Sequence, residues 1–114
     1  MGKKFTKEEL AAEKHHIQII GLKGTRVIAT AVLVPEEKSL KMQRVVVDNE
    51  CRSLEIGSNM MVYCEHYALN NGFNLIYCHA RDSAVNFYLK NDYLAKGDAF
   101  DEDGIPHLKM KKQL

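Results

Sequence analysis

Met42-Gln43-Arg44-Val45-Val46-Val47-Asp48, continued by Asn49-Glu50-Cys51-Arg52-Ser53-Leu54-Glu55-Ile56-Gly57-Ser58, decides how the chain is read. The first seven residues are β-branched at their centre, as in a buried strand. Asp48-Asn49-Glu50 breaks that strand with turn-forming side chains. From Cys51 the sequence leads into a helix lasting to Asn70 or Asn71. Its apolar stripe is Ile56, Met60, Met61, Cys64, Tyr67 and Ala68, with Asn59, His66 and Asn70 on the other side. A strand that turns directly into a helix aims unpaired N–H groups, and the positive end of the helix dipole, at one spot. Such a spot suits an anionic group such as a phosphate.

Downstream, Gly72 is suited to the left-handed position that closes this helix. Phe73 to Ala80 is almost continuously apolar and reads as a strand covered on both faces. Strand, helix, strand in this order predicts a right-handed crossover and a parallel pair. A second helix is expected through Ala84, Val85, Phe87, Tyr88 and Leu89, with Asp82 as the better N-cap. Asn91-Asp92 ends it, both types tolerating positive φ. Tyr93 to Phe100 and His107 to Lys112 read as two further strands, joined through Asp101-Glu102-Asp103-Gly104.

Upstream, His15 to Ile20 and Thr25 to Val34 read as a hairpin turning at Gly21-Leu22-Lys23-Gly24, and Pro35 ends its second strand. Thr6-Lys7-Glu8-Glu9 has capping-box spacing, which predicts a short helix of about two turns reaching Lys14. With 114 residues and no repeat or linker, the chain is expected to form one domain, 1–114.

Composition narrows the function. A formal net charge of +1 gives no field that would draw nucleic acid. Lys109, Lys111 and Lys112 read as a solvated strand edge. No apolar run is long enough to cross a bilayer, and the N-terminus lacks the apolar core of a signal peptide. Met1-Gly2-Lys3-Lys4-Phe5-Thr6 matches the myristoylation pattern, which is too short to carry weight. Three cysteines, Cys51, Cys64 and Cys78, are an odd number without framework spacing, so free thiols and a cytoplasmic location are expected. Cys64 with His66, and Cys78 with His79, are spaced so that partners point apart, which argues against a metal site.

From Thr25 on the element order is β, β, α, β, α, β, β. Together with Arg44-Val45-Val46-Val47-Asp48, Arg52, Ile56-Gly57-Ser58, Ala84 to Lys90 with Tyr93, and Gly104-Ile105-Pro106-His107 with Met110, this order resembles the GNAT family of N-acetyltransferases. The resemblance covers nearly the whole chain from about Glu13. It implies an α/β fold: a mixed, mostly antiparallel sheet with two main helices and a βαβ crossover. It also implies acyl-CoA-dependent transfer, acetyl in the first instance, to a small-molecule or peptide amine. On the family pattern acetyl-CoA would lie across Val46, Val47, Arg52, Ser53, Leu54, Ile56, Gly57 and Ser58. Tyr88 matches the position of a tyrosine that protonates the leaving thiolate. Without the resemblance, Phe87 and Tyr88 would read simply as helix core. His15, His16 and His107 stay unassigned, as surface histidines or as bases on the acceptor side.

Two departures qualify what the resemblance implies. The family's loop has the form Arg/Gln-x-x-Gly-x-Gly/Ala, and here it reads Arg52-Ser53-Leu54-Glu55-Ile56-Gly57. Glu55 adds a Cβ and a negative charge where the backbone would approach a pyrophosphate. At about 6 Å the repulsion is of order 1–3 kcal/mol, up to about a hundredfold in affinity. It shrinks if the carboxylate swings to solvent or onto Arg52. The second departure is at the front, where relatives carry another strand and one or two helices. Only Phe5 to Lys14 precede the hairpin, which predicts an uncovered edge or face and a homo-oligomer. These departures support an alternative: a non-catalytic descendant that binds or dimerises without CoA.

Overall fold

The computed structural model describes residues 3–9, 16–50 and 55–114. Seven strands form one sheet: β1 (Lys3–Glu9), β2 (Ile17–Lys23), β3 (Arg26–Pro35), β4 (Ser39–Val47), β5 (Leu75–Arg81), β6 (Leu94–Glu102) and β7 (Ile105–Gln113). Their spatial order is β1-β2-β3-β4-β5-β7-β6. Helix α1 (Ile56–Asn70) connects β4 to β5, and a 3₁₀ turn (Asp82–Ala84) leads into α2 (Val85–Lys90). The pair β4–β5 is parallel and every other pair is antiparallel, as the strand–helix–strand reading requires.

One apolar layer joins the sheet to the helices. Leu40 and Met42 of β4, Ile76, Cys78 and Ala80 of β5, and Met110 of β7 meet Met60, Met61, Cys64 and Ala68 of α1 in a single buried cluster. Tyr88 and Tyr93 belong to the same cluster. The predicted stripe of α1 is therefore its buried face, with Tyr67 partly exposed. Gly72 (φ +84°) and Asp92 (φ +70°) leave their helices in the left-handed region, as their residue types suggested. Asp82 opens the 3₁₀ turn, accepting from the Ser83 N–H at 2.8 Å, while Arg81 takes the cap position.

The N-terminal segment corrects the capping-box expectation. Thr6, Lys7, Glu8 and Glu9 are strand, paired with Ile20, Ile19, Gln18 and Ile17; residues 10–14 of the expected helix lie outside the described residues. A strand thus precedes the hairpin. An isolated two-turn helix is marginal, whereas β2 offers an open ladder. Side chains then reinforce the ladder. The Phe5 ring lies over Gly21, where an added Cβ would come within 2.8 Å of it, and reaches Tyr63 at a centroid distance of 5.8 Å. Two residues on, the Lys7 ammonium sits 5.6 Å from the Tyr67 ring, so alternate residues of β1 meet aromatics one turn apart on α1.

The C-terminal lysines are a second correction. β7 is not an edge, because its hairpin partner β6 lies outside it. Lys112 reaches the buried Glu65 carboxylate at 3.0 Å and the Asn91 carbonyl at 3.2 Å, and Lys109 stands 4.4 Å from the centre of the Tyr77 ring. Among the described residues no helix is long and apolar enough to cross a membrane.

Candidate active site

The strand β4 bends away from β5 part-way along its length. Pairing runs from Ser39–Leu75 to Met42–Cys78 and stops, although β5 continues to Arg81 and β4 to Val47. The cause is a bulge. Against β3, Gln43 pairs with Val32 and Val46 with Thr30, so Arg44 and Val45 together face one residue, Ala31. Arg44 takes the strain at φ +52°. A bulge increases local twist and turns a strand from its neighbour. Between the diverging strands lies a cleft of about 1180 Å³.

At one end of the cleft α1 begins. Its first intrahelical bond runs from the Asn59 N–H to the Glu55 carbonyl at 3.0 Å. The amides of Ile56, Gly57 and Ser58 therefore precede the helical ladder, at the positive end of the dipole. Gly57 is buried because three elements converge on it. An added Cβ would lie 3.0 Å from the Phe87 ring and 3.6 Å from the Val47 side chain. Glu55 holds the left-handed conformation (φ 59°, ψ 23°), which glycine adopts freely. Its carboxylate is well exposed and lies 3.7 Å from the Lys90 ammonium, so its charge is turned toward α2.

On the helix side of the cleft, Tyr88 is almost wholly buried and hydrogen-bonded to the Cys78 thiol. Its ring packs edge-on against Phe87 and Tyr93, at 5.1 and 5.5 Å. Burial first, then the neighbouring Cys78, pushes the phenol far above its ordinary value, so it remains a proton donor. Burial likewise pushes the Cys78 thiol up to about 11.

On the opposite face, His79 and His107 share one carboxylate. Glu102 lies 3.1 Å from His79 Nδ1 and 3.5 Å from His107 Nε2. The His79 hydrogen bond, first among its causes, holds the Glu102 carboxyl below its usual range. His107 Nδ1 donates to the Ile105 carbonyl at 2.8 Å. The Phe100 ring meets both imidazoles, edge-on to His79 at 5.1 Å and stacked on His107 at 6.1 Å.

A family model for the acetyltransferase (GNAT) domain matches residues 2–114. The chain belongs to the GNAT acetyltransferase family. Protein ElaA of Escherichia coli is 25% identical over 114 residues, an alignment covering 94% of this chain and 71% of ElaA. The crystal structure of ElaA superimposes with a TM-score of 0.76 at 22% identity, covering 86% of this chain and 68% of that one. An uncharacterized N-acetyltransferase of Bacillus subtilis, YjcF, is 29% identical over 106 residues, covering 92% of this chain and 74% of its own length. The structure of a B. subtilis acetyltransferase in complex with CoA shares the fold with a TM-score of 0.80, at 11% identity and 99% coverage of both chains.

Of the residues that the GNAT resemblance singled out, Val46, Val47, Gly57, Ser58 and Tyr88 line the cleft. Ile56 is 1% exposed and packs in the core instead. Arg52, Ser53 and Leu54, like Cys51 and His15, lie outside the described residues. His16 does not line the cleft, whereas His107 does. His79 and Glu102, which sequence reasoning passed over as site residues, line it too. The usable signal was alternation in β5: with Cys78 facing the helices, His79 must face away from them. Finding Glu102 required the pairing of β6 with β7, which local sequence does not reveal. Among the described residues no group of three or more potential ligands is arranged to hold a metal ion; Cys64 is buried while His66 is exposed.

Proposed function

We propose that this protein transfers an acyl group, acetyl in the simplest case, from acyl-CoA to a small-molecule or peptide amine. The observation that carries this reading is the opening of β4 from β5 beyond Met42 and Cys78, with the start of α1 at its end and Tyr88 inside. The residues present suit the donor. The amides of Gly57 and Ser58 would hold the pyrophosphate at the helix N-terminus. Arg52, Ser53 and Leu54 take part in the same role on the family motif, and Val46 and Val47 wall the arm that carries the thioester. CoA bound to a B. subtilis acetyltransferase of this fold supports acetyl-CoA as donor. Tyr88 is the general acid, passing its proton from Cys78 to the leaving thiolate.

Titration calorimetry with acetyl-CoA tests the reading. Saturable binding is expected, and no binding would sink it. If the protein is an enzyme of this kind, Tyr88→Phe lowers turnover while leaving CoA affinity nearly unchanged, because it removes a proton donor and little volume. Unchanged turnover in the variant would remove Tyr88 from the mechanism.

One observation favours a second reading, a non-catalytic member that binds or dimerises without CoA. Glu55 carries a side chain and a charge at the left-handed position before α1. The same calorimetry separates the two. We further propose a single domain, self-association, and a cytoplasmic location. The last rests on the free buried thiols Cys64 and Cys78, a state favoured by reducing compartments.

A further inference from the structure

We propose that His79 is the base that removes a proton from the incoming amine, and that Glu102 positions it. The inference rests on the acyltransferase reading and assigns the half of the chemistry that Tyr88 leaves open. An amine dissolved at neutral pH is mostly an ammonium ion, which has no lone pair with which to attack. Some group on the acceptor side must accept its proton before the C–N bond forms.

The placement follows from two consecutive residues of β5. Cys78, the last residue of β5 paired with β4, faces the helices and holds the Tyr88 hydroxyl. His79, the next residue, faces the other way and lines the same cleft. Acid and base thus stand on opposite faces of the sheet at the point where the strands part. A thioester lying through that opening would meet the hydroxyl from one side and the imidazole from the other.

The hydrogen bonds select His79 over His107. Glu102 is ionised and can only accept, so the 3.1 Å contact places a hydrogen on His79 Nδ1. Nε2 then carries the lone pair, and it has no hydrogen-bond partner among the described residues. His107 is committed differently. Its Nδ1 donates to the Ile105 carbonyl, its Nε2 points at Glu102, and its side chain is only 9% exposed, against 28% for His79. A carboxylate behind Nδ1 fixes the tautomer and orientation of the imidazole and stabilises the imidazolium that forms.

The ammonium N–H proton passes to His79 Nε2, and the freed lone pair forms the C–N bond at the acyl carbon. The C–S bond breaks and the thiolate takes the Tyr88 proton. The amide nitrogen loses its surplus proton to solvent. The His79 imidazolium releases its proton to water, and the Tyr88 phenolate regains one.

The test uses two nucleophiles with acetyl-CoA, following CoA release above the uncatalysed rate. n-Butylamine reaches the site as an ammonium ion and needs a base. Hydroxylamine is largely neutral at pH 7 and does not. His79→Gln is expected to slow the butylamine reaction about 10²–10⁴-fold and the hydroxylamine reaction no more than a few-fold, with acetyl-CoA affinity by calorimetry unchanged. Glu102→Leu should slow the butylamine reaction about tenfold. Glu102→Gln, which retains an acceptor for Nδ1–H, should recover most of that loss. A misfolded variant would lose acetyl-CoA binding and both reactions together, so selectivity between nucleophiles is the decisive readout. Equal losses with both nucleophiles in folded His79→Gln, or no loss with either, overturn the proposal while leaving the acyltransferase reading intact. A wild-type protein that binds acetyl-CoA but turns over neither nucleophile overturns the assignment as well. One that binds no acetyl-CoA removes the acyltransferase reading and this inference with it.

Discussion

Glu55 is placed so that one substitution reports on two quantities. Had it lain inside the helix, Glu55→Gly would cost up to about 1 kcal/mol of stability. Its left-handed backbone reverses the sign, since a non-glycine residue there costs roughly 1 kcal/mol relative to glycine. Glu55→Gly should therefore leave the melting temperature unchanged or raise it. The effect on CoA should be modest. The carboxylate is exposed and faces Lys90 at 3.7 Å, so a water-like dielectric applies and the repulsion at about 6 Å is about 0.7 kcal/mol. Acetyl-CoA should bind the variant about threefold more tightly at low salt, with the gain fading in high salt. If wild type binds tightly and Glu55→Gly brings no gain, the case for a non-catalytic member loses its main support. At this scale the sequence was legible where a residue type has one conformational use. Gly72 and Asp92 were read correctly as helix ends, and Glu55 was recognised as sitting where glycine belongs. The sharing of Glu102 by two histidines was not legible, because it joins β5, β6 and β7 through sheet pairing.

Elements here are tied by polar contacts as well as by the apolar layer. Glu65, on the buried face of α1, accepts from the Tyr93 hydroxyl at 2.9 Å and from Lys112 at 3.0 Å. Lys112 also donates to the Asn91 carbonyl and lies 5.7 Å from the Tyr93 ring. One cluster thus links α1, the end of α2 and β7. A buried carboxylate is tolerated only when such partners are present. Lys112→Met keeps most of the volume but removes the charge-assisted bond, and should cost about 1–3 kcal/mol in denaturant unfolding. A loss under about 0.5 kcal/mol, the range of ordinary surface changes, would show that Tyr93 alone satisfies Glu65. The heptad-like stripe of α1 was readable, but a glutamate next to Cys64 looks like a solvated position until Tyr93 and Lys112 are brought to it. β1 was misread for a related reason. Its local sequence favours a capping box, and its strand state depends on Gly21, Tyr63 and Tyr67, all distant in sequence.

At the scale of the molecule both helices pack on one face of the sheet, since residues of α1 and α2 belong to one buried cluster. On the other side Ile20 of β2 and Thr30 of β3 pair across the ladder and are partly exposed, while Val32 two residues on is buried. Neither sheet edge is a good place for another chain to join. β1 carries Lys4 and Lys7, and the pairing of β6 is irregular between Lys96 and Phe100, where Gly97 has φ +77°. Self-association should therefore use the helix-free face, burying Ile20 and its neighbours against a second copy. The 13.0 kDa chain is expected to sediment as a dimer of about 26 kDa at high micromolar concentration. Ile20→Lys places a charge on that face without touching the core beneath, where Ile19 is fully buried, and should give monomers with the melting temperature extrapolated to low concentration unchanged. A wild-type protein that sediments only as a monomer would end the oligomer proposal. A dimer that survives Ile20→Lys would move the interface to the edges, and β1 or β6 would then have to supply it.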